Sequence, residues 1–290
     1  MTFGVLGSGS GGNSAVVRGP EGLILIDAGL SARQIRDRMA ALGLSTQDLA
    51  AVLLTHEHGD HTRGLDVLMK GELDQVPVFA NTHTAELVRR QCRFPKRWKL
   101  VETGAAFEVA GLVVQTFPVP HDAADPMGFV LENRASRSRL GVVSDLGHCP
   151  PPLLGRLRDL DALFIEANYC PDLLAGDTRR PWGTKQRIAS RHGHLSNEQC
   201  AEIVAQIALP RLRRLLLGHL SSDCKCPTRA ATVIARILEE KGLPLPEIHC
   251  ACQHEPTGIF SVTAPPLPAP APIEGPAFGA QAMWQLEFTL

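Results

Sequence analysis

No stretch of this sequence approaches the ~18 consecutive apolar residues of a membrane-spanning helix. Neither sign of charge is in excess: 29 Lys and Arg stand against 30 Asp and Glu, a net charge of −1. A global field drawing the molecule to nucleic acid or a membrane surface is therefore excluded, and any polyanion site must be a local patch. The opening residues, Met1-Thr2-Phe3-Gly4, lack the basic start and continuous apolar core of an export signal. The 8 cysteines include no Cys-x-x-Cys pair. Cys224/Cys226 and Cys250/Cys252 are each separated by one residue, which is not the spacing of a zinc ribbon or a redox motif. These absences lead us to expect reduced thiols and a cytoplasmic location. No internal repeat is present.

What is there begins with a large apolar fraction. At 44% hydrophobic over 290 residues, the chain can bury a sizeable core. From Ala264 to Pro276 the composition shifts to proline and alanine, which reads as a flexible or polyproline tail. Met283 to Phe288 within that tail has the pattern of a short docking strand.

The chain is organised around Ala51-Val52-Leu53-Leu54-Thr55-His56-Glu57-His58-Gly59-Asp60-His61. Val52 to Leu54 reads as a buried strand. The polar cluster follows at once, where open α/β sheets place their ligand sites. Imidazole and carboxylate suit a first-row divalent metal. His56 and His58 can reach one ion from one side of a loop, and Asp60 and His61 lie one turn further on.

Other apolar strands end in the same way. Leu112 to Phe117 runs toward His121-Asp122, Leu140 to Val143 toward Asp145, Leu163 to Ile165 into Glu166, and Leu215 to Leu217 toward His219. Together with His56, these five endings predict a single site along one sheet edge. Leu23 to Ile26 is a further such strand, ending in Asp27, either a turn residue or a neighbour of the site. Gly7-Ser8-Gly9-Ser10-Gly11-Gly12-Asn13-Ser14 follows a first strand and is not a Walker A loop, having no Gly-Lys-Ser/Thr. It reads as a tight turn, with Ser10 and Asn13 as candidate phosphate contacts.

Two basic segments stand out. Arg89 to Lys99 has six cations and no acid, the pattern of a solvated face or of a phosphate patch. Thr178 to His194 reads as a loop with Arg179, Arg180, Lys185, Arg187 and Arg191 and no acid. Arg187 and Arg191 are candidate phosphate contacts there, and Trp182 is a candidate for stacking on a base. His194 precedes a capped helix and is either a backbone-bonding residue or a general acid paired with Glu166. His148 and His192 read as neighbours of the site or solvent-facing groups, and His83 as structural.

The motif Thr55-His56-Glu57-His58-Gly59-Asp60-His61, with the other strand ends, resembles the metallo-β-lactamase superfamily. That resemblance implies an α/β (α+β) four-layer αββα sandwich over residues 1–262, leaving 263–290 as the Pro/Ala-rich tail. It further implies two divalent metal ions, Zn or Mn. His56, His58 and His121 would hold the first, Asp60, His61 and His219 the second, and Asp145 would bridge them. A histidine at position 58, where di-iron oxidoreductases of this fold have glutamate, resembles the hydrolytic members. Gly193-His194-Leu195-Ser196 and Glu166 resemble the acid pair of its RNA-processing nucleases. Gly7-Ser8-Gly9-Ser10, Asp27-Ala28-Gly29-Leu30-Ser31, His121-Asp122-Ala123 and His219-Leu220-Ser221 are similar to the YycJ/WalJ-like subgroup, regarded as DNA exonucleases. Between Asp145 and His219 there is no room for the large inserted domain of the RNase J branch.

The expectation is thus a dinuclear phosphodiesterase acting on DNA from a 5′ end through a metal-bridging hydroxide, with Asp60, His194 and Glu166 in the chemistry. Two alternatives stay open: a phosphodiesterase for cyclic nucleotides or cyclic sugar phosphates, and a non-catalytic metal-stabilised binding module. Cys224 and Cys226 read as packing residues.

Overall fold

The computed structural model describes residues 1–94, 97–220 and 227–263. The tail from residue 264, Lys96, Ser221 and the Cys224/Cys226 pair lie outside the described residues. The strands are β1 (Thr2–Gly7), β2 (Ser14–Gly19), β3 (Gly22–Ile26), β4 (Leu49–Leu53), β5 (Val78–Ala80), β6 (Trp98–Leu100) and β7 (Ala106–Val109). They continue as β8 (Leu112–Pro118), β9 (Met127–Asn133), β10 (Ser138–Val143), β11 (Ala162–Glu166), β12 (Arg214–Gly218), β13 (Glu247–Cys250) and β14 (Phe260–Ser261). Helices are α1 (Ala32–Ala41), α2 (Gly59–Thr62), α3 (Leu65–Leu68), α4 (Thr82–Arg89), α5 (Pro151–Arg156), α6 (Pro171–Gly176), α7 (Trp182–Ile188), α8 (Asn197–Ile207) and α9 (Pro227–Glu240).

Among the described residues the strands form two sheets, ordered β14-β1-β2-β3-β4-β5-β6 and β13-β12-β11-β10-β9-β8-β7. Each sheet joins an antiparallel part to a parallel part: β3 to β6 are mutually parallel, as are β10 to β13. Alternation along each strand explains the layering. Ile24, Ile26 and Leu53 face the other sheet and pack with Phe129, Val142, Phe164 and Leu216. Leu23, Leu25 and Val52 point the other way, onto Ile35 and Met39 of α1 and Leu65 and Leu68 of α3. In the second sheet, Leu163, Ile165, Leu215 and Leu217 pack on Val204 and Ile207 of α8 and Ile234 and Leu238 of α9. The result is the expected four layers, helices on two face-packed sheets.

Register follows from the same alternation. Burying each such side chain is worth about 1.5–3 kcal/mol, and a one-residue slip would turn every one of them to the wrong face. Helix entries are set locally: Ser31 with Gln34 and Ser196 with Gln199 both form capping boxes. The six cysteines among the described residues are free thiols. No helix among the described residues is long and apolar enough to cross a membrane.

Several elements were not read from the sequence, among them β2, α5, α6 and three near the basic segments or sheet edges. The basic stretch after Thr178 contains the helix α7 rather than a plain loop, started by Pro181 at its N-cap. Edge strands β6 and β7 escaped it, one because it lies in the basic run, the other because its residues are only half-buried or exposed.

Candidate metal centre

The parallel strands of both sheets point their C-terminal ends to one side, and the candidate residues lie there. Asp27 follows β3, the His56–His61 motif follows β4, and Asp145, Glu166 and His219 stand at or just beyond the ends of β10, β11 and β12. His121 comes three residues after β8, which is antiparallel to β9 and so parallel to β10. The cluster therefore spans the tops of two sheets. This corrects the expectation of one sheet edge: the first histidines come from the other sheet, and face-to-face packing brings the two rows of strand ends together.

Backbone conformation at these ends is unusual. Asp27 (φ 58°), Asp145 (φ 54°) and His219 (φ 49°) adopt left-handed geometry without being glycine. Such positions cost on the order of 1 kcal/mol or more and persist where surroundings over-determine them. Here they do: Asp27 accepts from the Thr55 amide and hydroxyl, both at 2.8 Å. The His219 amide donates to Ser8 Oγ (2.7 Å), and its carbonyl accepts from Asn168 Nδ2 (2.8 Å). Glycine matters for the motif loop too, since a Cβ on Gly29 would overlap the Asp60 carbonyl.

Three sets of donor atoms converge: His56, His58 and His121; His56, His61 and Asp145; and Asp145, Glu166, His194 and His219. Asp145 joins the last two, with Oδ2 2.9 Å from His61 Nε2 and Oδ1 2.8 Å from His219 Nδ1. The His56, His58 and His121 rings form a triangle of centroid separations 4.6, 5.2 and 5.2 Å, each pair edge-on. Asp60 sits beside the second set, its Oδ2 3.7 Å from His61 Nε2 and 3.4 Å from Asn13 Nδ2.

The ring tautomers follow from the partners. His61 Nδ1 donates to Asp27 Oδ2 (2.7 Å) and His121 Nδ1 to the Gly193 carbonyl (3.1 Å). The Thr55 hydroxyl gives its proton to Asp27, so at 3.0 Å it accepts from His56 Nδ1. The His56 and His121 rings then present an Nε2 lone pair, the arrangement of a metal-ligating histidine, while His61 aims its Nε2 at the Asp145 carboxylate. His56 Nε2 is buried without a hydrogen-bond partner, and so is His219 Nδ1, whose Asp145 contact lies off the hydrogen-bonding direction. An unsatisfied buried polar atom costs about 1–3 kcal/mol. Two such atoms in one cluster, an imidazole nitrogen of His56 in the sets with His58, His61 and His121 and one of His219 in the set with Asp145, fit bound cations.

Electrostatics agree with that fit. Burial pushes the His56 ring down, and His61 adds to the effect, so the ring is neutral and ligand-ready. Burial opposes ionisation of Asp145, but the His219 and His61 rings outweigh it and hold its carboxyl well below the usual range. At His61 burial is outweighed by Asp145 and Asp27, which raise the ring. This concentration of carboxylate charge is what a divalent ion would neutralise.

His194 Nδ1 lies 3.0 Å from Glu166 Oε2, while Glu166 Oε1 accepts from the amides of Leu146 (2.8 Å) and Leu195 (2.9 Å). The carboxylate is thus fully committed, and Nε2 of His194 remains for proton exchange. Against burial, Glu166 raises this ring to about 9.

A cleft of about 200 Å³ opens over the cluster, reached by Ser10 on one side and by Thr184, Arg187 and Ile188 of α7 on the other. Arg187 pairs with Asp122 there. Other candidate contacts fall elsewhere. Asn13 is buried, its Oδ1 taking Ser8 Oγ and the Gly9 amide, both at 2.9 Å. The Gly11 and Gly12 amides are likewise used within the protein, so the glycine loop holds Asp60 and His219 in place rather than offering a phosphate nest. Arg191 is exposed and does not line the cleft. Trp182 is 72% exposed, and helical spacing sets it opposite Thr184, Arg187 and Ile188. His148 bonds the Arg191 carbonyl (2.8 Å), outside the cluster. Ser8, Thr55 and Asn168 were not singled out by sequence; a hydroxyl or amide beside a ligand motif is the only signal they give.

The family described as the beta-lactamase superfamily domain matches residues 23–220. The chain belongs to the beta-lactamase superfamily. Within this superfamily the chain is 32% identical over 264 residues to exodeoxyribonuclease YycJ of Bacillus anthracis, covering 89% of this chain and 98% of that protein. It is also 32% identical over 225 residues to exodeoxyribonuclease WalJ of Streptococcus pneumoniae, covering 76% and 82%. A solved diphosphatase from the PhnP family shares the superfamily fold, with a TM-score of 0.62, 19% identity, and coverage of 91% and 99%.

Proposed function

We propose that the chain is a two-metal phosphodiesterase that removes nucleotides from a 5′ end of DNA. The observation carrying this reading is the convergence of imidazole and carboxylate donor atoms, two of them buried nitrogens without a hydrogen-bond partner, with the His194–Glu166 pair in the same cluster. That the YycJ and WalJ relatives are exodeoxyribonucleases supports DNA as substrate. His56, His58 and His121 would hold one ion and Asp60, His61 and His219 the other, with Asp145 available to both. When bound, the ions would supply a nucleophilic water at neutral pH and offset charge developing on a phosphoryl oxygen. Zinc and manganese both suit this donor set. Asp27 and the Gly193 carbonyl orient His61 and His121. His194 protonates the leaving oxygen, and Glu166 keeps its ring charged and aimed. Ser10 and Arg187 bind phosphate at the cleft rim.

A linear duplex carrying labelled 5′-phosphate, incubated with metal-quantified protein and Mn²⁺ or Zn²⁺, tests the substrate. Release of labelled nucleotides supports the reading; an intact duplex from protein holding two ions contradicts it. The small cleft favours one rival, a small-molecule phosphodiesterase. Arg187→Ala separates them. On the DNA reading, kcat/KM should fall about tenfold more for long DNA than for bis(4-nitrophenyl) phosphate, as loss of a charged phosphate contact implies. Equal losses on both would favour the small substrate.

A further inference from the structure

Between β11 and α8 the chain makes an excursion of two short helices, α6 and α7, neither of which buries a residue. A segment with no buried side chain has no core of its own to fix its position. Yet α7 supplies one wall of the cleft. Its charged attachment to the catalytic body is the Arg187 Nε to Asp122 Oδ2 pair. Asp122 is itself anchored: its amide donates to the His192 carbonyl at 2.9 Å, at the base of the excursion. Its other oxygen, Oδ1, faces His121 Nε2 at 3.2 Å without a hydrogen bond.

The chemistry of the pair is directional. Asp122 engages the guanidinium through Nε. Among the described residues the two terminal nitrogens of Arg187 carry no protein hydrogen bond. The free edge is the one that binds a phosphate by two parallel hydrogen bonds. With the Arg187 side chain 67% exposed, the ion pair contributes little to folding stability. Its consequence is orientation.

We propose that Asp122 is a positioning residue: it holds Arg187 by Nε so that the free guanidinium edge meets a substrate phosphate next to the one being cleaved. The inference rests on the nucleic-acid reading above, because only a substrate with a second phosphate can use that edge. It makes the cleft selective for a phosphate chain over an isolated diester. It also links α7 to the loop that carries His121.

The test compares Asp122→Ala, Asp122→Asn, Arg187→Ala and the Asp122→Ala/Arg187→Ala double variant in the full-length, metal-loaded protein. The substrates are a 5′-phosphorylated DNA trinucleotide and bis(4-nitrophenyl) phosphate, and metal content is measured alongside. For Asp122→Ala, the ratio of kcat/KM on the trinucleotide to that on the single-phosphate diester should fall about tenfold, carried by KM, with the metal retained. Asp122→Asn, which keeps an acceptor for Nε, should recover most of that loss. The double variant should be no worse than Arg187→Ala alone. A lower KM in Asp122→Ala would overturn the inference, since Asp122 would then compete with phosphate. Metal loss, equal loss on both substrates, or additive losses in the double variant would overturn it as well. A wild type that hydrolyses the single-phosphate diester and leaves the trinucleotide intact would overturn both this inference and the nucleic-acid reading. A cleaved trinucleotide with Asp122→Ala indistinguishable from wild type would overturn this inference alone.

Discussion

Asp60→Ala is expected to lose one of two bound ions and more than ~100-fold of diester hydrolysis while folding normally. The magnitude follows from ligand logic: removing a group that merely supports a ligand costs about 10–100-fold, and removing a ligand costs more. Normal folding follows from the local structure. The Asp60 side chain is partly exposed, and its polar neighbours are Asn13 Nδ2 and His61 Nε2. Asn13 keeps its bonds to Ser8 and Gly9 without it, so the glycine loop stays closed. The backbone carbonyl of Asp60, which accepts from the Asn13 amide at 2.7 Å, is untouched by the substitution. Elemental analysis with hydrolysis rates on the same sample checks this outcome, and full activity with one ion per chain would remove Asp60 from the second site.

His194→Ala is expected to behave differently, slowing hydrolysis by about 10²–10⁴-fold, the usual worth of a positioned proton donor, with both ions retained. The distinction comes from its partner. His194 is joined to Glu166, whose other oxygen is already used by two backbone amides, so the ring is braced from the protein side. Because His194 also belongs to one convergent donor set with Asp145 and His219, metal content decides between the two roles. Loss of an ion together with activity would mark it as a ligand. A substrate with an activated leaving group, which needs no proton, should be affected far less than DNA if the donor role is correct.

Most of the strand ends were legible in the sequence because each is a run of apolar residues closely followed by a ligand-type residue; β8, with Gln115 and Thr116, alternates instead. Burial on both faces gives strands such as Leu163–Ile165 and Leu215–Leu217 that signature, and the ligand-type residue follows at once. The partners that orient those residues were less visible. Asp27 stood out only because it ends a strand, whereas Asn168 and Ser8 act through backbone groups of His219 that no side-chain pattern encodes. Helix α7 was hidden for a physical reason: burying nothing, it has no apolar period to detect. The Asp122–Arg187 pair joins residues 65 positions apart that both line the cleft, a separation that spacing arguments do not cross.

The most direct test of the two-metal reading is a titration of metal-stripped protein with Zn²⁺ or Mn²⁺, following bound ions per chain and hydrolysis of bis(4-nitrophenyl) phosphate in the same samples. The proposed assignment, His56, His58 and His121 for one ion and Asp60, His61 and His219 for the other with Asp145 shared, predicts negligible turnover in the stripped protein and a rise that reaches its plateau at two ions per chain. Full turnover at one ion, or in protein holding none, would contradict it.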